Sequence, residues 1–189
     1  MLGKQAKILS NSQQSAVISY LAGRRHPERN ILMFLFSVDA GLRAKEVAQI
    51  EWSMVTDAAG NVTDEIRLQD KASKGASGGL VYMSKRLNAA LQTYSESQEK
   101  TGAIIKSQTG TQMSAQVVTN WFFKLYLSLG YEGCSSHSGR KTAITKWARK
   151  ISSVGGSLRD VQALARHKSL QMTEKYIMVS EDACKKVVG

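Results

Sequence analysis

The sequence predicts a mainly helical α+β domain with a small antiparallel sheet. Three observations lead there. Apolar residues recur at helical spacing over most of the 189 residues, one stretch between Asp57 and Ser84 switches to strict alternation, and serines stand where helices should begin. With 42% hydrophobic residues, 15 Gly and a single Pro, the composition is that of one folded domain, residues 1–189, and excludes a collagen-like or disordered chain.

Ser10 or Ser12 can cap a first helix with Val17, Ile18, Tyr20 and Leu21 on one side, broken by Gly23 to Pro27. A second helix is expected from about Arg29 to Ala40, stopped by Gly41, and a third from Ala44 to Trp52. Ile66 and Leu68 alternate with polar neighbours, and Leu80 and Tyr82 oppose Val81 and Met83, so a hairpin is expected around a Gly-, Ser- and Lys-rich connection. Ser84 caps the next helix, with Leu87, Leu91 and Tyr94 buried. Ser114 caps a long apolar one running to Gly130, whose Trp121 to Leu125 cluster reads as core. Ser136 then opens a helix from His137 to about Lys150, with Trp147 in the core. After a break at Ser152 to Ser157, a short helix reaches Arg166 and another, capped by Ser169, ends near Tyr176.

Two cysteines, Cys134 and Cys184, are too few for a disulfide scaffold, and the N-terminus does not resemble a signal segment, so a reducing cytoplasm is expected. The run from Ile31 to Val38 is far short of the roughly 20 residues a membrane-spanning helix requires. Cys134 and His137 lack the second close pair that structural zinc demands.

Charge narrows the function. The net charge is +11, yet residues 1–70 carry eight basic and eight acidic side chains, so the excess lies entirely in residues 71–189. From His137 to Tyr176 nine basic residues face two acidic ones, which points to a folded surface for nucleic acid.

Within that basic region, His137-Ser138-Gly139-Arg140 places imidazole and guanidinium three residues apart at a helix start, a plausible phosphate site. A second arginine is expected opposite, because two guanidinium groups grip phosphoryl oxygens best. Arg43, in Gly41-Leu42-Arg43-Ala44-Lys45-Glu46, is the candidate, with Glu46 spaced to support it or to pair elsewhere. Near the end of the chain stand Arg166-His167-Lys168-Ser169, Thr173 and then Tyr176.

In that order, these segments resemble the catalytic domain of the tyrosine recombinases, the phage-integrase family of DNA strand-exchange enzymes. The resemblance spans nearly the whole chain and implies the family's fold, with its N-terminal DNA-clamping domain absent here. It implies site-specific cleavage and rejoining of double-stranded DNA through a 3′-phosphotyrosine, with no metal, ATP or other cofactor. Tyr176 would be the nucleophile, Arg43 and Arg140 would hold the non-bridging oxygens, His137 would assist proton transfer and His167 would donate a hydrogen bond. A hairpin lysine, Lys74 or the weaker candidate Lys71, would protonate the leaving 5′-oxygen. The resemblance further implies a homotetramer on paired sites, with residues 178–189 docking on a neighbouring subunit. Accessory DNA-bending proteins and a bacterial, phage or mobile-element origin, near the nucleoid, belong to the same expectation. The rival reading is a catalytically silent DNA-binding protein that kept the fold.

The chain departs from the family pattern on both sides of Arg140 and before His167, and Lys141 stands where the family usually has a histidine. Gly139 replaces a bulky apolar residue and is expected to loosen the helix start by about 1 kcal/mol relative to Ala. Ala165 and Arg166 replace the usual Leu-Gly, adding a cation beside His167.

Overall fold

A computed structural model describes residues 6–69, 78–177 and 185. The chain divides into two units, residues 1–143 and 144–189.

In the first unit, helix α1 (Asn11–Ala22) starts because Ser10 and Gln13 satisfy each other's backbone N–H groups at 3.2 and 2.9 Å, and it buries Gln14, Val17 and Leu21. Helix α2 (Pro27–Val38) is the central element, with every residue from Leu32 to Val38 buried. Pro27, expected as part of the break, is instead its first residue, since proline brings no N–H that the first turn would leave unbonded. Helix α3 (Ala44–Gln49) ends before Trp52. Ile50 takes an extended conformation and its carbonyl accepts from Ile104 N at 3.0 Å, while Trp52 N donates to Gly102 O at 3.0 Å, so pairing with residues 102–104 removes the chain from the helix. Trp52 then opens a separate 3-10 turn through Met54.

Strands β1 (Glu65–Leu68) and β2 (Gly79–Tyr82) pair antiparallel in the register Glu65 with Tyr82 and Ile66 with Val81. Ile66, Leu68 and Val81 turn inward while Leu80 and Tyr82 stay exposed, the alternation a one-sided sheet requires. Helix α4 (Lys85–Glu96) is capped by the Ser84 hydroxyl, which accepts from Leu87 N at 3.1 Å. Leu87, Leu91 and Tyr94 lie on its buried side. Helix α5 (Ala115–Ser128) is capped likewise by Ser114 and buries Val118, Phe122, Leu125 and Tyr126. Its Trp121 to Leu125 stretch is core only in part: Phe123 is 61% exposed, because residues one step from Phe122 rotate about 100° away from the buried stripe.

Helix α6 (Ser138–Lys150) crosses the boundary between the units. Beyond it lie a 3-10 turn (Ile151–Val154), Gly155 at φ +78°, helix α7 (Leu158–Ala165) and helix α8 (Leu170–Glu174). Ile144, Val161 and Ala165 form this unit's core, with Trp147, Ile151, Leu158 and Tyr176 packed against them. Among the described residues no helix is long and apolar enough to cross a membrane.

Candidate active site

The Arg43 segment follows from how α2 ends. Gly41, at φ +62°, adopts a left-handed conformation that lets the chain reverse, and Leu42 N closes the turn on Phe36 O at 2.9 Å. Leu42 is fully buried, which fixes the turn against the core. Arg43 then begins α3 with extended backbone, and the buried Glu46 carboxylate accepts both Arg43 N and Arg43 Nη1 at 2.8 Å. Glu46 therefore engages Arg43, the support that the spacing allowed. A carboxylate taken out of water costs several kcal/mol unless such bonds compensate it, so the pair sets the orientation of the guanidinium.

Arg140 reaches the same turn from 99 residues away, donating from Nη1 to Gly41 O, and is 4% exposed. Both arginines are thus tied to one stretch of chain, residues 41–46. The approach is close because Gly139 lacks a side chain: a Cβ there would lie 2.3 Å from Ser37 Oγ and 2.9 Å from Ser37 Cβ. Gly139 is accordingly a packing requirement between α6 and the last turn of α2, whatever it costs in helix propensity.

His137 stands differently from expectation. The helix begins at Ser138, not His137, because Ser138 N closes a turn on Ser135 O at 2.9 Å while Ser138 Oγ accepts from Ser135 N at 3.0 Å. Ser136 does not supply the cap. His137 precedes the helix and is exposed, whereas Arg140 is buried.

In the second unit, His167 and Tyr176 are neighbours. Their rings stack with centroids 5.3 Å apart at an interplanar angle of 27°. The buried His167 places Nδ1 2.9 Å from Thr173 Oγ1, and its backbone is bracketed by Gln162, whose carbonyl accepts from His167 N and whose Nε2 donates to His167 O. Tyr176 N donates to Thr173 O at 2.9 Å and Thr145 Oγ1 donates to Tyr176 O at 3.2 Å, so the half-buried tyrosine is held at its backbone from two sides. Arg166 lies at φ +52°, ψ +46°, the left-handed position closing α7, a conformation that a glycine would adopt without strain. Ser169 occupies the α8 cap position without bonding through its side chain.

Lys74 and Lys71 lie outside the described residues, as does the tail expected to dock on a neighbour apart from Lys185. Among the described residues no cluster of His, Cys, Asp or Glu could hold a metal ion.

Sequence reasoning missed one group. Asp39, at the end of α2, accepts from Arg86 Nε and Nη2 at 2.9 and 2.5 Å and from Ser84 Oγ at 2.7 Å. It thereby joins Ser84 and Arg86, two and four residues beyond the hairpin, to the chain two places before Gly41. No spacing in the sequence announces a pair 47 residues apart.

Solved structures share this architecture. XerA recombinase matches with a TM-score of 0.73 at 18% identity, covering 99% of this chain and 64% of its own. The Tn1549 transposon integrase in complex with circular intermediate DNA gives 0.72 at 16% identity, covering 100% of this chain and 67% of its own. A lambda integrase dimer bound to a COC′ core site gives 0.66 at 19%, covering 91% and 48%. The present chain therefore spans between 48% and 67% of the length of these proteins. No curated protein sequence matches it significantly. At such identities the likeness establishes the fold, and the family follows from the model of the Phage integrase family, which matches residues 7–182: this chain belongs to the phage integrase family.

Proposed function

We propose that this protein is a site-specific DNA recombinase that cuts and rejoins duplex DNA through Tyr176. The observation that carries the reading is the attachment of Arg43 and Arg140 to one turn of a chain that belongs to the phage integrase family. In this reading the Tyr176 oxygen attacks a backbone phosphorus, forming the phosphotyrosine bond as the bond to the 5′-oxygen breaks. Attack by a phenol requires that its proton pass to an acceptor, the role assigned to His137. His167 donates a hydrogen bond to the phosphoryl group. Arg43 and Arg140 offset charge building on the equatorial oxygens, and Lys74 gives its proton to the leaving oxygen. The ester retains the energy of the broken bond, so religation runs the same steps in reverse without ATP. Assembly as a tetramer on paired sites, with accessory DNA-bending proteins, completes the proposal. The relatives captured on DNA, the Tn1549 and lambda integrases, support the choice of substrate.

The test uses nicked duplexes carrying a candidate site, on which a cleaved strand loses its partner end and traps the covalent species. Wild type should yield a protein–DNA adduct that Tyr176→Phe eliminates. Arg140→Ala should lower adduct formation at least ~100-fold, the scale of losing one transition-state donor. Thermal melts accompany that variant, since Arg140 also holds Gly41 O. DNA binding with no adduct in the wild type would leave a silent DNA-binding protein as the reading.

A further inference from the structure

At the opposite end of α2 from Arg43, about 18 Å away along a helix of this length, the first unit contains a second cationic recess. The cavity is about 350 Å³, and His26, Glu28, Arg29, Tyr94, Lys106 and Gln108 are among its lining residues. Among them is Arg29, whose Nε and Nη2 donate to Asn30 Oδ1 and whose Nη1 donates to Lys106 O at 2.9 Å. Those acceptors are all neutral. Among the described residues no carboxylate pairs with this part-buried guanidinium, and the bonds just named use three of its five N–H donors.

The surroundings add positive charge rather than cancel it. Arg25 hydrogen-bonds the lining residue Gln108 at 3.1 Å, Lys106 is itself on the lining, and His26 sits in a left-handed conformation at the α2 start without capping it by its side chain. Glu28 is the single acid on the lining. This crowding disfavours the charged forms. His26 is held below its ordinary value first by loss of water and then by Arg29 and Arg25, and Arg29 is lowered by burial and by Arg25 against an opposing pull from Tyr94.

A part-buried guanidinium lacking a counter-anion is costly, and a fork beside a lysine is the combination that suits phosphoryl oxygens. We infer that this recess is an anion site for a phosphate group, built on Arg29 and Lys106 and separate from the site at Arg43. The inference does not depend on the proposed recombinase activity.

The experiment is a titration of the full chain with inorganic phosphate, followed by amide nitrogen–proton correlation spectra at constant ionic strength. Saturable shifts are expected at Arg29, Gln108 and Gly110, at least about tenfold weaker in Lys106→Gln, the scale of one lost charged contact, and retained in Arg43→Gln. Lys106→Gln decides the matter because its side chain carries no structural hydrogen bond among the described residues, whereas Arg29 holds a backbone carbonyl and its loss could disturb the loop. Shifts confined to residues 41–46, shifts that never saturate, or equal shifts with chloride would overturn the inference. A second arm adds a short DNA duplex: movement of the same recess amides identifies backbone phosphate as the source, and their silence, with phosphate still binding, identifies a free solute.

Discussion

Gly139 carries more structural weight than its size suggests. A methyl group at that position would meet Ser37 Oγ at 2.3 Å, Ser37 Cβ at 2.9 Å and the Ser37 carbonyl carbon at 3.1 Å. Helix propensity favours alanine over glycine by about 1 kcal/mol, but overpacking a tight backbone contact costs about 1–3 kcal/mol. The clash should prevail, because two of the three contacts are to the β-carbon and backbone of Ser37, which cannot swing aside as a long side chain would. Gly139→Ala is therefore expected to lower the denaturation midpoint, and Gly139→Leu to lower it further. Ser37→Gly in the Gly139→Ala background should recover part of the loss, since it deletes the two nearest atoms and leaves the carbonyl carbon. Urea melts of the single and double variants check this, and an alanine variant as stable as wild type would contradict it. The same contact bears on chemistry, for Gly139 precedes the arginine whose guanidinium holds Gly41 O.

At the level of elements, helix α7 shows a local signal that survives into the fold. Ser157 stands at its start, and both Ser157 N and Ser157 Oγ donate to Asp160 Oδ2, at 2.7 and 2.8 Å. Those two bonds hold the Asp160 carboxyl below the usual carboxylate range, first through the backbone N–H and then through the hydroxyl. A carboxyl lowered in the folded chain stabilises it fully above the unfolded value of about 3.9, and that contribution disappears as pH falls through the lower folded value. The Ser157 amide resonance should thus titrate with a midpoint below about 3.9 in wild type and show no such step in Asp160→Asn. A wild-type midpoint at or above the ordinary value would show that the bonds do not favour the charged form. Caps at Ser10, Ser84 and Ser114 were legible for the same reason: a hydroxyl and a backbone N–H three residues apart need nothing else. What escaped sequence reading depends on distant partners. The α6 start moved to Ser138 because of a turn with Ser135, α3 ended early because residues 102–104 pair with its continuation, and Asp39 found Arg86 across 47 positions. The order of His167 and Tyr176 along the chain was legible, whereas their stacking and the support from Thr145 and Gln162 were not.

Across the whole molecule, acids and bases are spent unequally. In the first unit several acids are consumed internally, with Glu46 on Arg43, Asp39 on Arg86 and Glu65 on Arg67. The second unit holds nine basic residues against four acidic ones, and its exposed Lys146, Arg149, Lys150, Arg159, Lys168 and Lys175 have no carboxylate partner among the described residues. Cations without partners keep their full attraction for a polyanion, and each phosphate they neutralise releases condensed counterions. If duplex DNA is the ligand, the logarithm of the association constant should fall linearly with the logarithm of salt concentration, with a slope of about −0.9 per phosphate contacted. Lys168 is the informative residue to remove, being exposed and next to the buried His167. Lys168→Ala should reduce the magnitude of that slope by about 1 and weaken binding nearly uniformly across DNA sequences, because a phosphate contact carries no base information. Charge loss at Arg67, whose guanidinium is already paired with Glu65, should change the slope far less and serves as the internal control. Fluorescence anisotropy over a salt series measures both. An unchanged slope in Lys168→Ala would remove that lysine from the DNA-facing surface, and a flat salt dependence in the wild type would show that the charge asymmetry of this chain serves something other than nucleic acid.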